Sequence, residues 1–417
     1  MVIKKIIAGE ILDSRGNPTV ETRVMLDSGI VAVASVPSGA STGRHEALEL
    51  RDQDKRYHGW GVLQACKNVN TMIARALVGK ALEAPEKIDR RLRVLDPTER
   101  KTKLGANALL SVSLACARAG ALARNIPLWK FLAKSYGFKI AAKPKIPTPL
   151  FNVFNGGKHA DTNLDFQEFW IVPTKRTSYA EKLRMGAEIF HALGRELHHR
   201  GYDTDTGAEG GYAPQIRSSI EVLDLLMRAS RKAGYVPDKD VVYGIDAGAS
   251  VLYDRYHQRY RFRLDHQFLD AHHLIELYRH WVTTYPVRLI EDGLAEDDWQ
   301  NWVLLMEAVG AQATTIGDDL FVTNVKRLER GIETKAVGGV IVKPNQIGTL
   351  SETVAFVKCA QAANLKVIVS HRSGETNDDF IADLAVAVGA DYLKAGAPNR
   401  GERLAKWNRL LAIERGL

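Results

Sequence analysis

The sequence predicts an α/β protein in two parts, a small α+β domain followed by a (β/α) barrel, and three observations carry that prediction. First, between Val241 and Ala395 short apolar runs keep ending on an ionisable residue: Val241–Ile245 into Asp246, Val287–Ile290 into Glu291, Thr314–Gly317 into Asp318, Gly339–Val342 into Lys343, Lys366–Ser370 into His371, and Asp391–Leu393 into Lys394. After the first interval the steps are roughly 23 to 28 residues, about what a strand, a helix and two short loops need in a barrel of about 250 residues. Second, the chain ahead of this region opens as strands and continues as helices, the order of an α+β unit. Third, Ala141-Ala142-Lys143-Pro144-Lys145-Ile146-Pro147-Thr148-Pro149 holds three prolines that deny helix and central strand alike. The predicted domains are therefore 1–140 and 141–417. Parallel strands in a closed barrel bring their C-terminal ends to one rim, so three carboxylates, two lysines and a histidine read as one site.

Composition narrows the class. At 417 residues the chain exceeds one ordinary core, which favours two domains. With 45% apolar and 25% charged residues it reads as a soluble globular protein. The start, Met1 to Ile7, has no apolar run long enough for a signal peptide, and nothing later is expected to approach a membrane span, so a cytoplasmic protein is predicted. Cys66, Cys116 and Cys359 are scattered through helix-like segments and read as buried thiols rather than a disulfide frame or a zinc site. The formal charge of +8 comes without an aromatic-interleaved basic motif, so nucleic acid is not expected; the charge reads as a solvated basic surface that attracts an anionic substrate.

In chain order, Ile3–Leu12 and Thr19–Leu26 read as strands around the turn formers Asp13 to Pro18, and Ile30–Val36 as a third. Pro37 to Gly43 is a run of small residues that is either a surface loop or a flap closing over a ligand. Gly61 to Leu132 is helical in pattern, with Leu109, Val112, Leu114 and Ala115 on a helical spacing. Leu150–Phe154 and Leu164–Val172 read as a strand pair joined by a loop carrying His159, a hairpin that departs from an all-parallel barrel. Gln167 and Glu168 interrupt the second run, and a carboxylate inside a strand needs a partner, a metal or a function. A helix is expected over Tyr179–Arg200. Glu209 then stands among Gly207, Ala208, Gly210 and Gly211, and taken alone reads as a solvated turn glutamate.

Set in order, Asp13 to Val20, Pro37 to Gly43, Asn155 to Ala160, Phe166 to Phe169, Glu209 to Pro214, Ile290 to Gly293, Gly317 to Leu320 with Thr323-Asn324, Lys343 with Asn345 to Gly348, and Ser370 to Thr376 resemble the signatures of the enolases over almost the whole chain. The resemblance implies an N-terminal capping domain and an enolase-type eight-stranded barrel whose opening strands are antiparallel. It implies a carbon–oxygen lyase of glycolysis that removes water from 2-phosphoglycerate to give phosphoenolpyruvate, reversibly and with magnesium, in a homodimer or an octamer of dimers.

The chemistry explains the residue types. Removing a proton beside a carboxylate places extra negative charge on two oxygens, which something strongly cationic must hold. Magnesium prefers hard oxygen ligands, and Asp246, Glu291 and Asp318 are three carboxylates predicted at one rim. The resemblance adds a second magnesium on the substrate phosphate, with Ser41 of the flap as a ligand. A Lys or His base working with one or two magnesium ions is the arrangement already described for the enolase superfamily as a whole. Lys343 is the expected base, its proton loosened by metal charge and by Lys394. The resemblance assigns Lys394 to the substrate carboxylate, Arg372 and Ser373 to its phosphate, and Gln167 and His371 to the substrate site. Glu209 is the implied acid, with Glu168 and His159 beside it and one carboxyl kept protonated by its acidic neighbour.

One departure stands out: the family pattern has an aspartate before the glutamate matching Glu209, and here Ala208 occupies that position. That bears on the protonation of Glu209 and on substrate preference. Two rival readings follow, a family hydratase acting on a phosphonate analogue such as phosphonopyruvate, and a weakly catalytic paralogue kept for binding RNA or protein.

Overall fold

The structure is a computed structural model that describes residues 1–40, 42–82, 84–140 and 143–417. Three antiparallel strands open the chain, β1 (Ile3–Leu12), β2 (Pro18–Leu26) and β3 (Val31–Ser35), in the order β1-β2-β3. Asp13 sets the first turn: its Oδ1 accepts from the backbone N–H of Arg15 at 2.8 Å and of Asn17 at 3.0 Å, the local bonding that suits aspartate to turns. The sheet packs on the helix Ala106–Ala123, where Thr22 and Ser111 join hydroxyls at 2.7 Å. By length and composition alone this helix could cross a bilayer, which corrects the expectation that nothing in the chain approaches a span. In the fold 83% of it is buried inside the protein, because a helix apolar all round belongs in a core. Cys66 and Cys116 are buried as expected, whereas Cys359 is only partly so.

The second part is a closed barrel. Its strands are β4 (Thr148–Asn155), β5 (Glu168–Pro173) and β6 (Val241–Asp246), followed, after a small outlying sheet of β7 (Tyr253–Asp254), β8 (Arg259–Phe262) and β9 (Gln267–Leu269), by β10 (Val287–Glu291), β11 (Thr314–Gly317), β12 (Gly339–Val342), β13 (Lys366–Ser370) and β14 (Tyr392–Lys394). They close in the order β10-β11-β12-β13-β14-β4-β5-β6. Strand β5 alone runs against its two neighbours; every other adjacent pair is parallel. The antiparallel opening is thus as expected, but β5 begins at Glu168 rather than at Leu164. Reversal brings the first residue of β5, not its last, to the rim where the other strands end, and Glu168 pairs in register with Asn155 on one side and Asp246 on the other. Glu168 therefore does not interrupt a strand; it starts one.

Side chains alternate along a strand, so residues two apart face the same way. The barrel interior is filled by Leu150, Trp170, Val172, Val242, Leu289, Ile316, Ile341 and Ile368, with Tyr392 packed against them, so all eight strands contribute. Burying each of these is worth about 1.5–3 kcal/mol relative to exposure. Two residues beyond Leu289, Ile316, Ile341 and Tyr392 stand Glu291, Asp318, Lys343 and Lys394. The same alternation that fills the core aims these groups into the mouth.

The two parts are tied together near the rim. Asp89 accepts from the backbone N–H and the hydroxyl of Ser351 at 2.7 and 2.6 Å, and Arg118 forks onto Asp378 at 2.6 and 2.8 Å. Ser38 exchanges backbone hydrogen bonds with Gly374, and the Arg44 N–H donates to Glu296 at 3.0 Å. Both ends of the Pro37–Gly43 loop are therefore anchored at the barrel mouth. Ser41, expected on a metal, lies outside the described residues.

Candidate active site

At the mouth, a narrow pocket is lined by His159, Gln167, Glu168, Glu209, Asp246, Asp318, Lys343, His371, Arg372, Ser373 and Lys394, every one of them expected from the sequence. Asp292, Asp319 and Ser370 also line it. Glu291 was expected there and is not in the wall, because it sits fully buried behind Lys394.

Asp246, Glu291 and Asp318 come from the adjacent strand ends β6, β10 and β11. Lys394 Nζ donates to Asp246 Oδ2 at 3.0 Å and to both Glu291 oxygens at 3.0 and 2.9 Å, lies 3.1 Å from Glu168 Oε2, and stands over the Trp170 ring at 4.7 Å. Lys343 Nζ bonds Asp318 Oδ2, while Gln346 holds the other Asp318 oxygen at 2.9 Å. Burial and then the Asp246 charge push Glu291 well above the ordinary carboxylate range. Three hard carboxylates on neighbouring strand ends, one of them driven toward protonation by the others, make a donor set that suits a divalent cation. A second acidic group, Asp292, Asp318 and Asp319, brings its oxygens within 4.8 Å of one another. Asp292 also accepts from the N–H groups of Asp318 and Asp319, both at 2.9 Å, which fixes the turn after β11.

Around the ring of eight strands, β4 lies four places from β11, so its end faces Asp318 across the mouth. Glu209 is held on that side. Asn152 of β4 donates to Glu209 Oε2 at 2.7 Å and Ser373 to Oε1 at 2.9 Å; His159 Nδ1 lies 3.5 Å from Glu209 and 3.3 Å from Glu168, and His371 Nε2 lies 3.7 Å from Glu209. The turn beyond Glu209 needs Gly210, whose φ is 89° and whose added Cβ would stand 1.9 Å from Asn399 Oδ1.

One electrostatic expectation is corrected. Burial alone would raise Glu209, but His159 and His371 outweigh it and hold this carboxyl well below its ordinary range. It is Glu168 that is raised, by burial and then by the charge of Glu209, against the lowering pull of Lys394 and His159. His159, despite burial, is pushed up to about 10 by Glu209 and Glu168. On the other side, burial, Arg372 and Lys394 press on the Lys343 proton, while the ion pair with Asp318, itself an expected metal ligand, leaves the pKa raised.

Arg372, expected on a phosphate, forks onto Glu46 at 2.9 and 3.1 Å and onto Asn345 at 3.1 Å. Glu46 lay in no readable motif. Asn152 did give a signal, an amide inside the apolar run Leu150–Phe154, and the doublets Glu291-Asp292 and Asp318-Asp319 gave another. Arg403, which bonds His371 and three loop carbonyls, gave none, since it stands among charged residues of an exposed-looking helix. Ala208 contributes its backbone: its N–H donates to His159 O and its carbonyl accepts from Arg403, both at 3.0 Å.

Comparison with known proteins agrees with this geometry. The family model described as "Enolase, N-terminal domain" matches residues 3–132, and that described as "Enolase, C-terminal TIM barrel domain" matches 143–417. Two relatives named "Enolase 2", from Pseudomonas syringae pv. syringae and from Pseudomonas syringae pv. tomato, are each 50% identical over 417 residues, covering 100% of this chain and 96% of the relative. The chain therefore belongs to the enolase family and is a hydro-lyase, a phosphopyruvate hydratase.

Proposed function

We propose that this enolase interconverts 2-phosphoglycerate and phosphoenolpyruvate with magnesium, using Lys343 as base and Glu209 as acid. The observation that carries the reading is the division of one pocket into two facing sides, with Lys343 beside three strand-end carboxylates and Glu209 beside His159. Asp246, Glu291 and Asp318 would hold the ion; when bound, magnesium supplies the positive charge that stabilises the carboxylate of the deprotonated substrate. Lys394 binds and orients that carboxylate, and Arg372 with Ser373 takes the phosphate, a role for which a guanidinium fork is suited. Lys343 Nζ, once it is released from Asp318 and has given up its own proton to solvent, takes the proton beside the carboxylate. Glu209 protonates the departing hydroxyl, drawing on the proton that its neighbour His159 holds tightly. Gln167, Glu168 and His371 wall the substrate, and Ser41 is proposed on a second magnesium.

Family membership also supports a glycolytic role in the cytoplasm, a homodimer or octamer of dimers, and a domain boundary within 141–149. The test is absorbance-monitored turnover of 2-phosphoglycerate with and without magnesium, beside Lys343→Ala and with phosphonopyruvate as competitor. Magnesium-dependent formation of phosphoenolpyruvate, lost in Lys343→Ala, is expected. Folded, magnesium-loaded protein that ignores 2-phosphoglycerate would overturn the reading, and preference for phosphonopyruvate would redirect it to the phosphonate.

A further inference from the structure

Arg403, in the helix Gly401–Arg415, is fully buried although it carries a charge that no solvent reaches. Its Nη1 lies 2.7 Å from His371 Nδ1 and 2.7 Å from Arg372 O. Its Nη2 donates to Ser373 O at 2.5 Å, to Ala208 O at 3.0 Å and to Ser14 Oγ at 3.4 Å, and Glu402 lies 3.3 Å from its Nε. One guanidinium thus joins the turn carrying Glu209, the loop carrying Arg372 and Ser373, and the first hairpin of the N-terminal domain. Burying an arginine is costly unless its donors are satisfied, and here both terminal nitrogens are hydrogen-bonded, so this position is built for what the fork reaches.

A guanidinium has donors only and does not lose its proton in a protein. The 2.7 Å contact to His371 can then be a hydrogen bond only if Nδ1 is the acceptor. That leaves the single imidazole proton on Nε2, the nitrogen that faces Glu209 Oε2 at 3.7 Å. An imidazolium would set two N–H groups against each other, and burial with the nearby positive charges already presses His371 toward its neutral form.

We infer that Arg403 is a positioning residue for the acid side of the site: it locks His371 as a neutral Nε2–H donor directed at Glu209 and, through the Ala208 carbonyl, fixes the turn that presents Glu209. This deepens the proposed function and rests on Glu209 as the acid.

The test begins with ¹⁵N-histidine NMR of the unmodified protein, the His371 signals being identified by their loss in His371→Gln. A single Nε2–H tautomer at neutral pH is expected; an Nδ1–H tautomer or a mixture overturns the inference, whatever the turnover. Arg403→Met, which removes the donors at similar volume, should mix the tautomers and lower kcat about 100-fold with KM for 2-phosphoglycerate changed far less, the penalty of a misplaced catalytic group. Arg403→Lys, which keeps a donor to Nδ1, should restore the tautomer and part of kcat. Full kcat in Arg403→Met overturns the inference, and if that variant fails to fold, the wild-type spectrum and Arg403→Lys decide. Loss of 2-phosphoglycerate turnover in a protein with the expected tautomer would instead count against the proposed substrate.

Discussion

The two sides of the pocket are built differently. Asp246, Glu291, Asp318, Lys343 and Lys394 stand at or one residue beyond strand ends, with Glu291 and Asp246 in register, above an interior layer drawn from every strand. Glu209, His159, Arg372 and Ser373 stand on loops, and their geometry depends on Asn152, Glu46 and Arg403 reaching in from elsewhere, while His371, one residue beyond β13, has its ring set by Arg403. The backbone ladder places the first set, whereas side-chain hydrogen bonds place the second. Rigid elements need little support to hold a group, and loops need a built shell.

Breaking the strand side should have the largest effect. Lys343→Ala is expected to lower kcat by about 10⁴ at unchanged fold, the upper end of what a general base contributes, as read by steady-state kinetics and circular dichroism. On the loop side, Glu209→Gln should cost about 10²–10³ in kcat with little change in KM. Asn152→Ala sharpens the comparison because it leaves every reacting group in place; losing its charge-assisted bond to Glu209 should cost about 10-fold in kcat, and a variant as fast as the parent would show that the loop holds itself.

The smallest effect belongs to neither side. Burial raises Asp89, at the junction with Ser351, from 3.8 to about 6. The folded protein then binds this proton more tightly than the unfolded chain, so the associated stability is fully present below pH 3.8 and is lost as pH rises through about 6. By linkage the whole slope is worth on the order of 3 kcal/mol. In Asp89→Asn, denaturant titrations between these pH values should lose that slope while turnover at pH 7 stays unchanged.

The same contrast explains what could be read without coordinates. A strand announces its last residue, since an apolar run of the right length ending on a charge is visible in one dimension, and six such runs located most of the strand side. The hairpin of β4 and β5 was visible too, but not that Glu168 opens its strand, because reversal of direction is a property of pairing. Glu291 was legible as a rim carboxylate and not as one covered by Lys394. Which of Glu168 and Glu209 is raised and which lowered depended on two histidines brought in from separate stretches of the chain. Glu46 and Arg403 lie far along the chain from the groups they hold, and nothing in their neighbourhood distinguishes them from surface charge.

The pairing of β14 with β4, Tyr392 against Thr148, has a consequence for how the molecule is made. Barrel closure joins segments from near the two ends of the second domain, so it waits for most of that domain to emerge, and contacts of such long sequence separation form slowly. The strand that closes the ring also delivers Lys394, the ammonium shared by Glu168, Asp246 and Glu291. Until it arrives those carboxylates, on the adjacent strands β5, β6 and β10, repel one another without the ammonium between them. Topological closure and charge neutralisation are one folding event, and pulse-labelled hydrogen exchange during refolding should show β4, β6 and β14 gaining protection together.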